Sequence, residues 1–135
     1  MDLTHRRIET AGAPQAIGPY SQGVAIPELG LVFTSGQIGL DPGTGELVAG
    51  GIEAQARRVL QNVEAILEAA GSGMDRIVRS TLYLVDMADF GLVNSLYAEK
   101  VGAPLPARST IAAAALPKGA RIELDVIASV RPRSS

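Results

Sequence analysis

The hydrophobic pattern is clearest over Ile52–Ala70. Ile52, Ala56, Val59, Leu60, Val63, Ile66, Leu67 and Ala70 recur at helical spacing, and Arg57, Arg58, Gln61, Glu64 and Glu68 occupy the opposite face. Gly71 supplies a C-terminal stop. A helix with one apolar stripe should lie against a sheet. A second helix is predicted over Met87–Val101, with Asp86 as its N-cap and Asp89 in its first turn. It should bury Phe90, Val93 and Leu96 or Tyr97. Strand signals fall at Leu3–Thr10, Gln22–Ile26, Leu31–Gln37, Arg76–Val85, Ala107–Ala115 and Arg121–Val130. A Pro117-Lys118-Gly119 turn joins the last two strands, which read as a hairpin-like unit. Gly-rich and Pro-rich stretches before Gly30 and over Gly39–Gly51 read as loops and turns. The order β-β-β-α-β-α-β-β predicts an α+β layer fold, with both helices on one face of a mixed sheet. The opposite face then needs a cover, and another subunit fits that role.

Composition narrows the chemistry. At 135 residues the chain is expected to be one domain, 1–135, able to bury its own core. Aromatic residues make up 4%, so the core is built from Ala, Val, Leu and Ile. The net charge of −2, with Lys and Arg scattered, argues against a nucleic-acid surface. There is no Cys, which excludes disulfides, thiolate ligands and Cys nucleophiles. The one His, His5, lies near the N-terminus, so neither a zinc site nor a Ser-His-Asp triad is expected. No apolar run reaches membrane-spanning length and no signal-peptide pattern opens the sequence, so the cytoplasm is the expected compartment. Gly39–Gly51 lacks the pattern of a phosphate-binding loop.

The chemistry-bearing residues stand in the last two strands. Ile122, Leu124, Val126, Ala128 and Val130 alternate with Glu123, Asp125, Ile127 and Ser129. Arg108 and Thr110 share one face of the strand before, opposite Ser109 and Ile111. On this reading Arg108 and Glu123 both project from the sheet face that the helices leave uncovered. They form either a structural ion pair or a site. Buried pairs are often no more stabilising than apolar packing. As a site, the planar fork of Arg108 matches a carboxylate in two-point contact, beside a carboxyl group able to position water.

The stretch "PARSTIAAAALPKGARIEL", Pro106–Leu124, resembles the signature of the Rid (reactive intermediate deaminase) family in its RidA-like branch. "AIGPYSQGV" before β-branched sequence, "FTSGQIGLDPGTGELV" from Phe33, "QARRVLQNVEAILEAAG" from Gln55 and "VNSLYAE" from Val93 resemble it in the same order. The likeness covers nearly the whole chain. It implies a chorismate mutase-like α+β fold, a homotrimer and sites in clefts between subunits. The implied activity is hydrolysis of reactive 2-imino acids and their enamine tautomers to 2-keto acids and ammonia. Its implied partners are a small 2-imino acid substrate and other copies of the chain, and the implied activity uses no cofactor; the charge, hydropathy and residue types above argue for no nucleic acid, no membrane and no metal.

The same resemblance gives Arg108 the grip on the substrate carboxylate and Glu123 the positioning and activation of water. Tyr20, Ser35 and Asn94 match polar cleft-lining positions, and Thr110 stands where many members carry Cys. By themselves Tyr20, Ser35 and Asn94 read as a turn-anchoring aromatic, a strand-end serine and an exposed helix asparagine. The link from Tyr97 to Pro106 is a few residues shorter than is typical of the branch, and Leu124 replaces the usual Met or Ile. Two rival functions are an endoribonuclease or translation inhibitor, and a non-catalytic ligand-binding or chaperone-like trimer. A ribonuclease should show a basic cleft and usually a general-acid His. A pure carboxylate binder would need the arginine and not the glutamate.

Overall fold

The computed structural model describes residues 2–132. Six strands and two α-helices follow in the predicted order. They are β1 (Arg6–Ile8), β2 (Gly23–Ile26), β3 (Leu31–Thr34), α1 (Gly51–Ala69), β4 (Ile77–Leu84), α2 (Phe90–Lys100), β5 (Ala107–Ala112) and β6 (Ile122–Ser129). A 3-10 turn, Met87–Asp89, precedes α2, and Asp86 caps it by accepting from the Ala88 amide at 2.9 Å. The strands are shorter than their β-branched sequence suggests. β3 stops at Thr34; the Ser35 amide still bonds to the Gln22 carbonyl, and the chain then bridges again to β6 at Gln37 and Leu124.

The sheet order is β1-β2-β3-β6-β4-β5, with β4 and β5 parallel and all other neighbours antiparallel. This is the α+β arrangement expected, two helices on a mixed sheet. The hairpin-like pairing of the last two strands is corrected. β4 lies between β5 and β6, and the chain crosses the end of β4 through the Pro117–Gly119 turn. Lys118 in that turn adopts φ 58°.

The core forms where α1 meets the sheet. Val59, Val63, Ile66 and Leu67 of α1 pack with Val32, Leu82, Leu84, Leu124, Val126 and Ala128 in one buried cluster. Each fully buried Val, Leu or Ile contributes roughly 1.5–3 kcal/mol. α2 adds Val93, Leu96 and Tyr97, and the Tyr97 hydroxyl donates to the buried Ser80 hydroxyl at 2.9 Å. The other sheet face is open in the single chain: Phe33, Val78 and Ile111 are 37%, 51% and 44% exposed. Among the described residues, no helix is long and apolar enough to cross a membrane.

Candidate active site

Strand alternation puts Arg108 and Glu123 on opposite faces of the sheet. Glu123 registers with Tyr83 of β4, on the open face, while its neighbour Leu124 registers with buried Leu82. Arg108 registers with buried Ser80, and Thr110 with Leu82, so both lie on the helix-covered face. The expectation of a shared open face is therefore corrected. Its cause is the inserted β4: the relative parity of β5 and β6 depends on pairing, which the alternation within each strand does not reveal. The intrachain ion-pair reading falls with it. Among the described residues, the salt bridges are Arg7–Glu9, Arg57–Glu53, Arg121–Asp89 and Arg131–Asp75, and none uses Arg108 or Glu123.

Arg108 is held by α2. Its guanidinium carbon lies 4.9 Å from the Tyr97 ring centroid and 5.5 Å from that of Phe90. The two rings hold the guanidinium in place by cation–π attraction, and among the described residues no salt bridge engages it. Asn94 stands on the same stripe of α2, between Phe90 and Tyr97, and is half-buried. Arg108, Thr110 and Asn94 thus form one group, at the edge strand β5.

Glu123 belongs to a second group. It lines a cleft of about 650 Å³ with Tyr20, Ser35, Gly36, Gln37 and Lys118. The cleft sits between the Gly18–Tyr20 turn, the exit of β3 and the Pro117–Lys118 turn. Ser35 donates its hydroxyl to the Ser21 carbonyl, and its amide donates to the Gln22 carbonyl at 2.9 Å. The Ser35 hydroxyl is therefore a staple for the loop, with lone pairs left to accept. Tyr20 is half-exposed, and its amide closes the turn onto the Gly18 carbonyl at 2.8 Å.

Gly36 makes room for the Glu123 carboxyl, and other neighbours fix the backbone on either side of it. A Cβ built on Gly36 would overlap Glu123 Oε2 and lie 2.8 Å from its Cδ, so only glycine leaves room for the carboxyl there. Gln37 brackets Leu124 with two backbone hydrogen bonds, of 2.8 and 3.1 Å. Arg121 pairs with both oxygens of Asp89 at 2.9 Å, and its amide donates to buried Gln55 Oε1 at 2.9 Å. Burial, and then the nearby charge of Asp125, hold the Glu123 carboxyl above its ordinary value. Tyr83 is raised too, by burial first and then by Asp125 and Glu123. A carboxyl so placed keeps its proton to higher pH and can donate as well as accept.

Of the six residues expected at the site, Tyr20, Ser35 and Glu123 share the cleft, and Arg108, Thr110 and Asn94 stand apart from it. Gly36, Phe90 and Tyr97 were missing from the sequence reading as site residues. The glycine in Thr-Ser-Gly-Gln was a visible signal, whereas the two rings read simply as buried helix positions.

The model of the family described as Endoribonuclease L-PSP matches residues 10–130. The chain is 46% identical over 130 residues to the mouse protein named 2-iminobutanoate/2-iminopropanoate deaminase, covering 96% of this chain and 95% of that one. It is also 46% identical over 127 residues to Protein DfrA of Myxococcus xanthus, covering 93% and 96%. A solved structure of the conserved Rid protein family, YyfA of Yersinia pestis, superimposes with a TM-score of 0.89 at 45% identity, over 94% of this chain and 100% of that one. With the family model matched over residues 10–130 and its architecture superimposable on a Rid protein, the chain belongs to the endoribonuclease L-PSP (Rid) family.

Proposed function

We propose that the chain is a hydrolytic deaminase of small 2-imino acids, and that each site forms between two subunits of a homotrimer. One observation carries the reading: within one chain the arginine faces one side of the sheet and the carboxyl faces the other. Each half lacks what the other supplies. Arg108 of one subunit and Glu123 of the next complete a site that binds an anion beside a proton-carrying group. The deaminase name of the mouse relative supports the substrate class. The exposed apolar residues Phe33, Val78 and Ile111 on the open sheet face support a further copy as its cover. Light scattering in dilute neutral buffer should give about three chain masses; a stable monomer contradicts the reading.

The chemistry fits the residue types. Arg108 holds the substrate carboxylate and so orients the C=N carbon. The Glu123 carboxyl first gives its proton to the imine nitrogen. The carboxylate then takes a proton from water as the water oxygen bonds to the C=N carbon, giving a neutral tetrahedral carbinolamine. It returns that proton to nitrogen, and as the C–N bond breaks and ammonia leaves it takes the hydroxyl proton, so the keto C=O forms and the carboxyl is restored. One imine and one water give one 2-keto acid and one ammonia, with no change in oxidation state. The raised Glu123 carboxyl suits these proton transfers. The test is a coupled assay with a dehydratase that generates 2-iminobutanoate. Keto-acid release faster than the uncatalysed rate is expected, and no acceleration refutes the activity.

Gly36 offers a sharper check. Gly36→Ala forces the Glu123 carboxyl aside. A displacement of about 1 Å costs roughly a hundredfold in rate. The variant should lose kcat on that scale with little change in affinity for 2-oxobutanoate. Near-normal kcat would mean that the carboxyl does not act from this position.

The family description names an endoribonuclease. The cleft does not favour that reading: its one basic lining residue is Lys118, and the exposed His5 is not part of its wall.

A further inference from the structure

Asn62 is fully buried on α1, at a position that the apolar stripe of the helix does not require. Its Nδ2 donates to the carbonyl of Ile38 at 3.2 Å and to that of Leu40 at 3.0 Å. Its Oδ1 accepts from Arg58 Nε at 2.9 Å. Carbonyls only accept and an arginine nitrogen only donates, so the amide has one possible orientation. Ile38 and Leu40 line the cleft, and the Leu40 amide also turns back onto the Ile38 carbonyl at 2.8 Å. Asn62 thus holds a tight turn in the cleft wall.

The wall is clamped from both sides. Gln37 ties it to β6 at Leu124, next to Glu123. Gly39 presses on the helix: a Cβ there would lie 2.9 Å from Gln55 Cα and 3.0 Å from the Gln55 carbonyl oxygen. The wall cannot approach the helix more closely, and the Asn62 amide stops it from moving away. We propose that Asn62, itself oriented by Arg58, is a positioning residue that sets the cleft wall of residues 35–40 against the Glu123 carboxyl. The inference rests on the deaminase reading of this cleft and assigns a further residue to it.

The experiment compares Asn62→Ala and Asn62→Asp with Val63→Ala, the neighbouring core position that lines no part of the cleft. Thermal midpoints are recorded by melting, and kcat and KM for 2-iminobutanoate are measured well below the unfolding transition. All three variants should lose thermal stability. Only the Asn62 variants should lose kcat, by roughly ten- to a hundredfold, with KM nearly unchanged. Asn62→Asp should lose at least as much as Asn62→Ala, because it turns a carboxylate oxygen onto two carbonyl oxygens. Arg58→Met removes the group that orients the amide and should show the same split in milder form, so the idea stays testable if Asn62 variants fold poorly. Asn62 and Arg58 variants that keep kcat while losing only stability overturn the proposal.

A second readout separates this inference from the function itself. Glu123 is faced by Asp125 along β6, by Tyr83 on β4, and by Tyr20 and Lys118 around the cleft. Carbon-13 titration of the Glu123 carboxyl needs no activity. In Asn62→Ala its midpoint should fall toward the ordinary carboxylate value, as the loosened wall admits water. An unmoved midpoint refutes the positioning role. A wild-type protein without imine hydrolysis, but with this shift in the variant, would refute the deaminase reading alone.

Discussion

Arg108→Lys should lower kcat/KM for 2-iminobutanoate by roughly ten- to a thousandfold while the protein keeps its fold and assembly. Hydrogen bonds to charged groups are worth about 1.5–3 kcal/mol each, and lysine loses one or both arms of the two-point contact. The geometry adds a second loss. The guanidinium lies over the rings of Tyr97 and Phe90, 4.9 and 5.5 Å from their centroids, which holds it in place beside α2. An ammonium is attracted to the same rings but has no planar fork. Most of the loss should appear in KM and in the Kd of 2-oxobutanoate, because the carboxylate is held in ground state and transition state alike. Steady-state kinetics with product calorimetry on the folded variant decide the matter. Kinetics equal to wild type would mean that the substrate anion is bound elsewhere.

Glu123→Gln should do the opposite. An amide of the same shape fills the space left by Gly36, so the cleft stays intact. It cannot exchange a proton near neutrality. General acid–base catalysis is typically worth about 10²–10⁴-fold, and kcat should fall on that scale. Affinity for 2-oxobutanoate should hold or rise, because a negative charge has left the path of an anionic ligand. The pH profile gives an independent signature. Burial and Asp125 raise the Glu123 carboxyl, so the wild-type profile should contain an ionisation above the ordinary carboxylate value. That limb should vanish in Glu123→Gln. Weaker binding with near-normal turnover would make Glu123 a structural residue.

The same raised carboxyl bears on stability. Its folded-state value lies above its unfolded one, so the folded chain binds the proton more tightly. The resulting stabilisation is complete below the ordinary carboxylate value and is lost as pH rises through the raised one. Glu123→Gln should flatten this part of the stability curve.

Most of the architecture was legible because it rests on local periodicity. The stripe Ala56–Val59–Leu60–Val63–Ile66–Leu67 marks α1 and its buried face, and the alternation Ile122–Leu124–Val126–Ala128 marks β6. What escaped is non-local. Nothing between Ala107 and Ser129 says that β4, which comes earlier in sequence, inserts between β5 and β6. The relative facing of Arg108 and Glu123 follows from that insertion, so sequence alternation could not give it. Asn62 and Gln55 were hidden for another reason. They are polar residues on a helix with a clear apolar face, and each is buried because a backbone group of another segment needs its amide.

The central claim is that a working site takes Arg108 from one chain and Glu123 from another. Subunit mixing tests it directly. Arg108→Ala and Glu123→Gln proteins, each nearly inactive alone, are unfolded together in equal amounts and refolded. In randomly mixed trimers, about a quarter of the shared sites receive an intact Arg108 from one chain and an intact Glu123 from its neighbour. The mixture should regain about a quarter of wild-type activity, while each variant refolded alone regains none. If both residues served the same site from within one chain, every chain would still carry one defect, and a mixture no more active than its components would contradict the account.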